Sequence, residues 1–209
     1  MATSCGALIL AGGVSRRMGL DKALLPIPIG GRPAIQRIVL AACRVADPLD
    51  VVVVGKPGLY EGLGLAVVPD ILPGQGPLVG LYSGLRQSEQ EWNLVIGCEF
   101  PLVRAAVLIH LRNLAYRDYD AVVPVPQPGY AQPLCAVYHQ RVAAVAEAVL
   151  AKGSKRLADL RDRLKILYVS REELLANDPD LRTFMAINSS ADYERVIALA
   201  EEEQRERSK

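Results

Sequence analysis

Short apolar segments rich in β-branched residues recur along this chain, and each is bounded by turn residues. Residues 7–11, for example, form a continuous apolar run that stops at Gly12 and Gly13. Runs of this kind are typical of strands buried on both faces of a parallel sheet. The sequence predicts strands at residues 7–11, 50–55, 65–69, 93–97, 120–124 and 164–169.

Segments with helical periodicity separate these strands. Residues 33–46 begin with a proline and carry apolar residues at helical spacing, and residues 77–87, 101–115 and 140–150 behave similarly. Ser170 and Glu173 have the spacing of a capping box, and a last helix is predicted from near Ser189 towards Glu203. Strands alternating with helices predict an α/β protein with a mostly parallel sheet.

The size and charge of the chain limit the kinds of partner it can have. Its 209 residues, 51% of them hydrophobic, suit one domain, which we place at residues 1–200 before a charged tail at residues 201–209. With 24 basic and 23 acidic residues the net charge is +1, so no overall field attracts nucleic acid or an anionic membrane. Any anionic ligand must therefore be held by a local site.

The cysteines indicate a reducing compartment. Cys5, Cys43, Cys98 and Cys135 are far apart and form no CxxC pair, so a zinc site is not expected. The first residues show neither the basic region nor the long apolar run of a secretory signal. We therefore expect reduced, mostly buried thiols and a cytoplasmic protein.

The glycine-rich segment LAGGVSRRMGLDK, at residues 10–22, is the richest in chemistry. It fits neither a Walker A loop nor the GxGxxG dinucleotide fingerprint. Its paired glycines would still let backbone N–H groups approach phosphate oxygens, and Arg16, Arg17 and Lys22 supply positive charge. Taken alone, the segment could be an anion cradle or a surface turn with solvated basic residues.

The same segment resembles the LAGGxSxRMGxDK signature of the MobA-like nucleotidyltransferases, a family that includes the molybdenum cofactor guanylyltransferases. Further segments are similar to family elements: VVPD and GPLVGL, GCEFP, AQPLCAVY, and AINS. The resemblance covers the chain from about residue 6 to residue 195. It implies a Rossmann-like three-layer α/β/α sandwich of the nucleotide-diphospho-sugar transferase type.

The resemblance also implies roles for individual residues. It assigns catalytic roles to Arg17, which would contact the departing phosphates, and to Lys22, which would hold the triphosphate. Arg16 occupies a variable position and is expected to be solvated. The implied GTP-binding residues are Leu10, Ala11, Gly12, Gly13, Lys22, Asp70 and Glu99.

Three of the implied site residues leave alternatives open. Glu99 stands where the family has aspartate. It is expected to bind the Mg²⁺ cofactor, although the added methylene could shift or loosen the site. Asp70 could contact the nucleotide or cap a local turn. Asn188 could contact the pterin or be a buried turn residue.

A basic segment at residues 152–165 has six basic and two acidic residues. It could be a solvated helix face or a dock for an anionic substrate.

The implied activity is transfer of GMP from GTP to molybdenum-bound molybdopterin, which forms a guanine dinucleotide and pyrophosphate. Cofactor-biosynthesis or molybdoenzyme-chaperone proteins are expected as further partners, and nucleic acid and membranes are not. The open alternatives are a nucleotidyltransferase that uses CTP or a sugar-phosphate acceptor, and a non-catalytic nucleotide-binding relative.

Overall fold

The computed structural model describes residues 5–12, 21–28, 31–47, 50–71, 76–116 and 118–207. The strands are β1 (Cys5–Leu10), β2 (Pro26–Ile27), β3 (Arg32–Pro33), β4 (Val51–Val54), β5 (Ala66–Val68), β6 (Trp92–Gly97), β7 (Ala121–Pro124), β8 (Cys135–His139) and β9 (Ile166–Val169). The helices are α1 (Ala34–Ala42), α2 (Pro77–Gln87), α3 (Ala105–Asn113), α4 (Val142–Ala151), α5 (Arg171–Leu175) and α6 (Ser190–Arg207). The six predicted strands and the predicted helices are confirmed.

Within these residues the central sheet has the order β5-β4-β1-β6-β8-β7-β9. Strands β5, β4, β1 and β6 are parallel, and β9 is parallel to β7. Strand β8 is antiparallel to both of its neighbours, β6 and β7. The carboxyl ends of β1, β4, β5, β6, β7 and β9 therefore share one edge of the sheet with the amino end of β8.

Helices cover both faces of this sheet and confirm the three-layer architecture. Helices α1 and α3 pack on one face, where Ile9, Val53 and Leu94 are buried. Helices α2 and α4 pack on the other face, over Leu8 and Val95. Alternate residues of one strand thus enter opposite layers, as the period of a β-strand requires.

Helix α6 forms a third, smaller core with the β2–β3 hairpin, in which Val196 and Ala200 pack near Ile27. The helix continues through the charged residues after position 200 as far as Arg207. Glu202 Oε2 accepts a 2.9 Å hydrogen bond from Nη2 of the buried Arg182, and Glu203 Oε2 lies 3.7 Å from Arg37 Nη2.

Among the described residues, no helix has the length and apolar character needed to span a membrane.

Helix α3 begins later than predicted, at Ala105 instead of residue 101. The preceding residues form a turn that ends at Arg104, whose backbone N–H donates to Thr183 Oγ1 at 3.1 Å. The Arg37 side chain donates to the Pro101 carbonyl at 2.9 Å. Partners far along the chain therefore hold this segment out of the helix.

Candidate active site

The glycine-rich segment, Asp70 and the turn at Cys98 and Glu99 lie at the carboxyl edge of the sheet. The N–H of Ala11 donates to the Val54 carbonyl at 2.8 Å, and that of Cys98 donates to the Leu10 carbonyl at 3.0 Å. These bonds extend strand pairing beyond β1, so Gly12 emerges between the ends of β4 and β6. In open α/β sheets this edge is where ligands bind.

Asp70, which follows β5, lies against the glycine-rich turn and helix α2. A Cβ atom built on Gly12 would overlap Asp70 Oδ2, and one built on Gly80 would lie 3.4 Å from Oδ1. Burial raises the pKa of Asp70 above its ordinary value. Oδ1 is buried and has no hydrogen-bond partner among the described residues. Such an oxygen is suited to receive a ligand or a cation.

We predict that Gly12→Ala lowers kcat/KM for GTP by about 10²-fold, because the methyl group would displace Asp70 or the backbone beside it. Steady-state kinetics with a melting curve would check this. Gly62→Ala is the matched control, since nothing lies within 4 Å of a Cβ built there. Equal activity of the two variants would show that the close approach of Gly12 to Asp70 is unimportant.

Glu99 lies two residues after the end of β6, and its carboxylate folds back over the strand end. A Cβ built on Gly97 would lie 2.7 Å from Glu99 Oε2, so only glycine leaves this space open. Burial raises the pKa of Glu99, and the nearby ammonium group of Lys22 partly opposes that rise. Glu99 is therefore a half-buried carboxylate with a cation beside it.

Lys22 begins a single helical turn, Lys22–Leu24, which Asp21 caps. Its Nζ donates a 3.0 Å hydrogen bond to Asn188 Oδ1. The neighbouring Ile187 N–H donates to the Glu99 carbonyl at 2.9 Å. The structure thus brings Lys22, Glu99 and Asn188 together. Asn188 is exposed, so its interpretation as a buried turn residue is wrong.

Part of the predicted site lies outside the described residues. Gly13, Arg16 and Arg17 belong to this part, and their roles stay predictions. Leu10, Ala11 and Gly12 are described and occupy the end of β1 and the turn after it.

The basic segment at residues 152–165 does not form one continuous face. Lys165 precedes β9 at the opposite edge of the sheet, where its backbone N–H donates to Asp120 and its Nζ lies 5.2 Å from the Tyr119 ring centroid. The backbone oxygen of Lys155, in contrast, is 3.2 Å from a Cβ built on Gly76, just before α2. The basic residues of this segment therefore do not share one surface, and binding of an anionic substrate by part of it stays a prediction.

Glu99 and Asp70 each offer the type of oxygen donor that a magnesium ion shared with a nucleotide uses. Mg²⁺ in such sites is held by one or two carboxylates together with phosphate oxygens and water. Glu99 and Asp70 are hard oxygen donors, and Asp70 Oδ1 is unpartnered among the described residues. No group of three or more acidic, histidine or cysteine residues that could hold a metal occurs in that part of the chain.

Tyr60 also belongs to the site, although the sequence analysis did not select it. It is buried in the loop after β4, and its hydroxyl oxygen lies 3.0 Å from the Ala11 carbonyl oxygen and 2.7 Å from Asp21 Oδ2. No motif surrounds it, and 39 residues separate it from Asp21. Only the folded chain shows this contact.

Comparison with known proteins agrees with this geometry. The model of the MobA-like NTP transferase domain matches residues 7–166. The chain belongs to this family. Within it, the chain is 35% identical over 195 residues to the probable molybdenum cofactor guanylyltransferase of Bacillus licheniformis, covering 90% of this chain and 94% of that protein. It is 32% identical over 191 residues to the molybdenum cofactor guanylyltransferase of Desulfosudis oleivorans, covering 91% and 93%.

A solved structure is also similar to this MobA-like chain. Molybdopterin-guanine dinucleotide biosynthesis protein A from Archaeoglobus fulgidus superposes with a TM-score of 0.78 at 25% identity. The match covers 94% of this chain and 99% of that protein. The α/β nucleotidyltransferase fold implied by the sequence resemblance is thus confirmed.

Proposed function

We propose that this MobA-like protein transfers GMP from GTP to molybdenum-bound molybdopterin, forming molybdopterin guanine dinucleotide and pyrophosphate. The structural observation that carries the proposal is the meeting of Lys22, Glu99 and Asn188 at the carboxyl edge of the sheet. The similarity to named guanylyltransferases over nine-tenths of the chain supports GTP and molybdopterin as the substrates.

The proposed reaction joins two anions. A terminal phosphate oxygen of molybdopterin attacks the α-phosphorus of GTP, a new P–O–P bond forms, and the bond from the α-phosphorus to the α–β bridging oxygen breaks. Pyrophosphate leaves with that bonding electron pair. Such a reaction needs in-line positioning and charge neutralisation more than a protein nucleophile.

The proposed site residues divide these tasks. Lys22 neutralises negative charge on the triphosphate. Gly12 has no side chain, so the phosphates can approach the backbone closely. Arg17 is proposed to contact the β- and γ-phosphates as they leave. Asn188, which accepts a hydrogen bond from Lys22, is proposed to contact the pterin substrate.

Mg²⁺ is the proposed cofactor, with Glu99 as its carboxylate ligand and Asp70 on the nucleotide side. When bound, the ion would neutralise phosphate charge and orient the triphosphate. Burial raises the pKa of both carboxyl groups, and the ammonium group of Lys22 partly opposes that rise at Glu99.

The proposal is tested by incubating the protein with molybdenum-loaded molybdopterin, Mg²⁺ and either GTP, CTP or ATP. We expect dinucleotide product and pyrophosphate in equal amounts with GTP. Turnover with CTP alone would instead identify a cytidylyltransferase. Product formed only when a sugar phosphate replaces molybdopterin would identify a sugar phosphate as the acceptor. GTP binding without pyrophosphate release would identify a non-catalytic relative.

A further inference from the structure

Tyr60 contacts both residues that flank the segment 12–20. Its hydroxyl oxygen is 3.0 Å from the carbonyl oxygen of Ala11, which precedes the segment, and 2.7 Å from Oδ2 of Asp21, which follows it. A tyrosine hydroxyl has one proton to donate, so the two acceptors share it. One buried side chain therefore links the two ends of the glycine-rich segment.

The surroundings of Tyr60 keep this hydroxyl in place. The residue is 1% exposed, and its ring packs in the core on the α1 and α3 face of the sheet. A Cβ built on Gly55 would lie 3.0 Å from Tyr60 Cε2 and 3.4 Å from the Ala11 carbonyl carbon. Burial first, and then the hydrogen bond to Asp21, raises the pKa of Tyr60 far above its ordinary value. The hydroxyl thus remains a donor at physiological pH.

Asp21 passes this constraint on to Lys22. Oδ2 of Asp21 accepts a hydrogen bond from the Tyr60 hydroxyl. Oδ1 of the same carboxylate accepts a 2.9 Å hydrogen bond from the Ala23 N–H and caps the turn that begins at Lys22. On the other side, the Ala11 N–H is bound to the Val54 carbonyl at 2.8 Å. The hydroxyl therefore joins a sheet-anchored residue to the turn that carries Lys22.

We propose that Tyr60 is a positioning residue for the nucleotide site: its hydroxyl holds Ala11 and Asp21 at a set separation, and thereby sets the direction of Lys22. The ligand whose affinity depends on it is a nucleoside triphosphate, and its identification as GTP rests on the proposed function. The aromatic ring supplies packing, and the hydroxyl supplies the link.

The first test is Tyr60→Phe, which keeps the ring and removes the hydroxyl. We expect the Kd of GTP with Mg²⁺, measured by calorimetry, and the KM for GTP to rise about 10- to 100-fold, the range for hydrogen bonds to charged groups. The KM for molybdopterin should rise less than the KM for GTP, because Tyr60 is linked to Asn188 only through Lys22. A purely structural defect would not single out GTP.

Tyr82→Phe is the matched control. Its hydroxyl also donates to a carboxylate, Glu147 Oε1 at 2.8 Å, but between helices α2 and α4. We expect its GTP affinity to equal that of the unmodified protein. If Tyr60→Phe binds GTP as tightly as this control, the proposal is overturned.

Hydrogen exchange of the Ala23 amide tests the link without any substrate. This N–H donates to Asp21 Oδ1, and we expect it to exchange several times faster in Tyr60→Phe than in the unmodified protein or Tyr82→Phe. Unchanged exchange would contradict the positioning role. If the unmodified protein bound no GTP, the proposed function would fail, while the exchange comparison would still decide the role of Tyr60.

Asp21→Asn provides a second variant if Tyr60→Phe does not fold. It keeps an acceptor for the Ala23 N–H but removes the charged acceptor of the Tyr60 hydroxyl. We expect weaker GTP binding, and no further loss when both substitutions are combined, because both break the same link. Tight GTP binding by Asp21→Asn, or fully additive losses in the double variant, would overturn the proposal.

Discussion

Replacing Lys22 with methionine is expected to lower kcat/KM for GTP by about 10²- to 10³-fold, the usual effect of removing one group that stabilises charge in a transition state. Methionine keeps the length and much of the packing of lysine but cannot neutralise a phosphate. Lys22 is held at the site by Asn188, 3.0 Å away, and lies near Glu99. Steady-state kinetics with GTP and molybdopterin would measure the loss.

Two further variants separate the role of Lys22 from overall charge. Lys22→Arg keeps the charge but changes the donor geometry, so we expect it to recover only part of the activity. Lys165→Met removes the same charge at the opposite edge of the sheet, beside Tyr119, and should leave kcat/KM unchanged. Equal losses in Lys165→Met and Lys22→Met would show that net charge alone matters.

The second large effect is expected at Glu99. Glu99→Gln keeps the shape of the side chain but removes the negative charge proposed to bind Mg²⁺, and should lower kcat by about 10²- to 10³-fold. Glu99→Asp retains the carboxylate oxygen donor and should keep most of the activity. If both variants matched the unmodified protein at every Mg²⁺ concentration, Glu99 could not be the metal ligand.

Glu99→Gln should also stabilise the folded protein, and this gain in stability can be measured without any catalytic turnover. Burial raises the pKa of Glu99 above 4.5, so ionisation costs more in the folded than in the unfolded protein. At pH 7 Glu99→Gln removes that cost and should raise the free energy of unfolding and the Tm. The gain should shrink as the pH falls through 4.5, because the carboxyl becomes protonated in the unfolded state as well.

Thermal melts at pH 7 and pH 4, with and without Mg²⁺ and GTP, would measure this. Added Mg²⁺ and GTP should raise the Tm of the unmodified protein more than that of Glu99→Gln, because the ligands bind the folded state of the former better. A lower Tm for the variant at pH 7 would mean that the Lys22 attraction outweighs the burial of Glu99.

Local sequence signals were enough to predict most elements. Helix α2 occupies the predicted residues because Gly76 adopts φ 101°, which suits glycine, and Pro77 starts the helix without needing an N–H partner. The capping box of α5 is also present, with Ser170 and Glu173 in their expected roles. In each case the deciding contacts lie within a few residues of one another.

The start of α3 shows where such signals fail. The turn before it is held by Thr183, 79 residues further along the chain. Likewise, the direction of β8 depends on its pairing between β6 and β7, which local composition does not specify. These features depend on long-range hydrogen bonds.

By itself the sequence determined the alternation of strands and helices, the glycine-rich segment and the residue types of a nucleotide site, because these depend on spacing along the chain. The tertiary structure decided which of them meet. Lys22 reaches Asn188 across 166 residues, and Tyr60 reaches Ala11 and Asp21, because parallel strands bring their carboxyl ends to one edge of the sheet. Proximity across the fold is a property of that packing, and no local pattern encodes it.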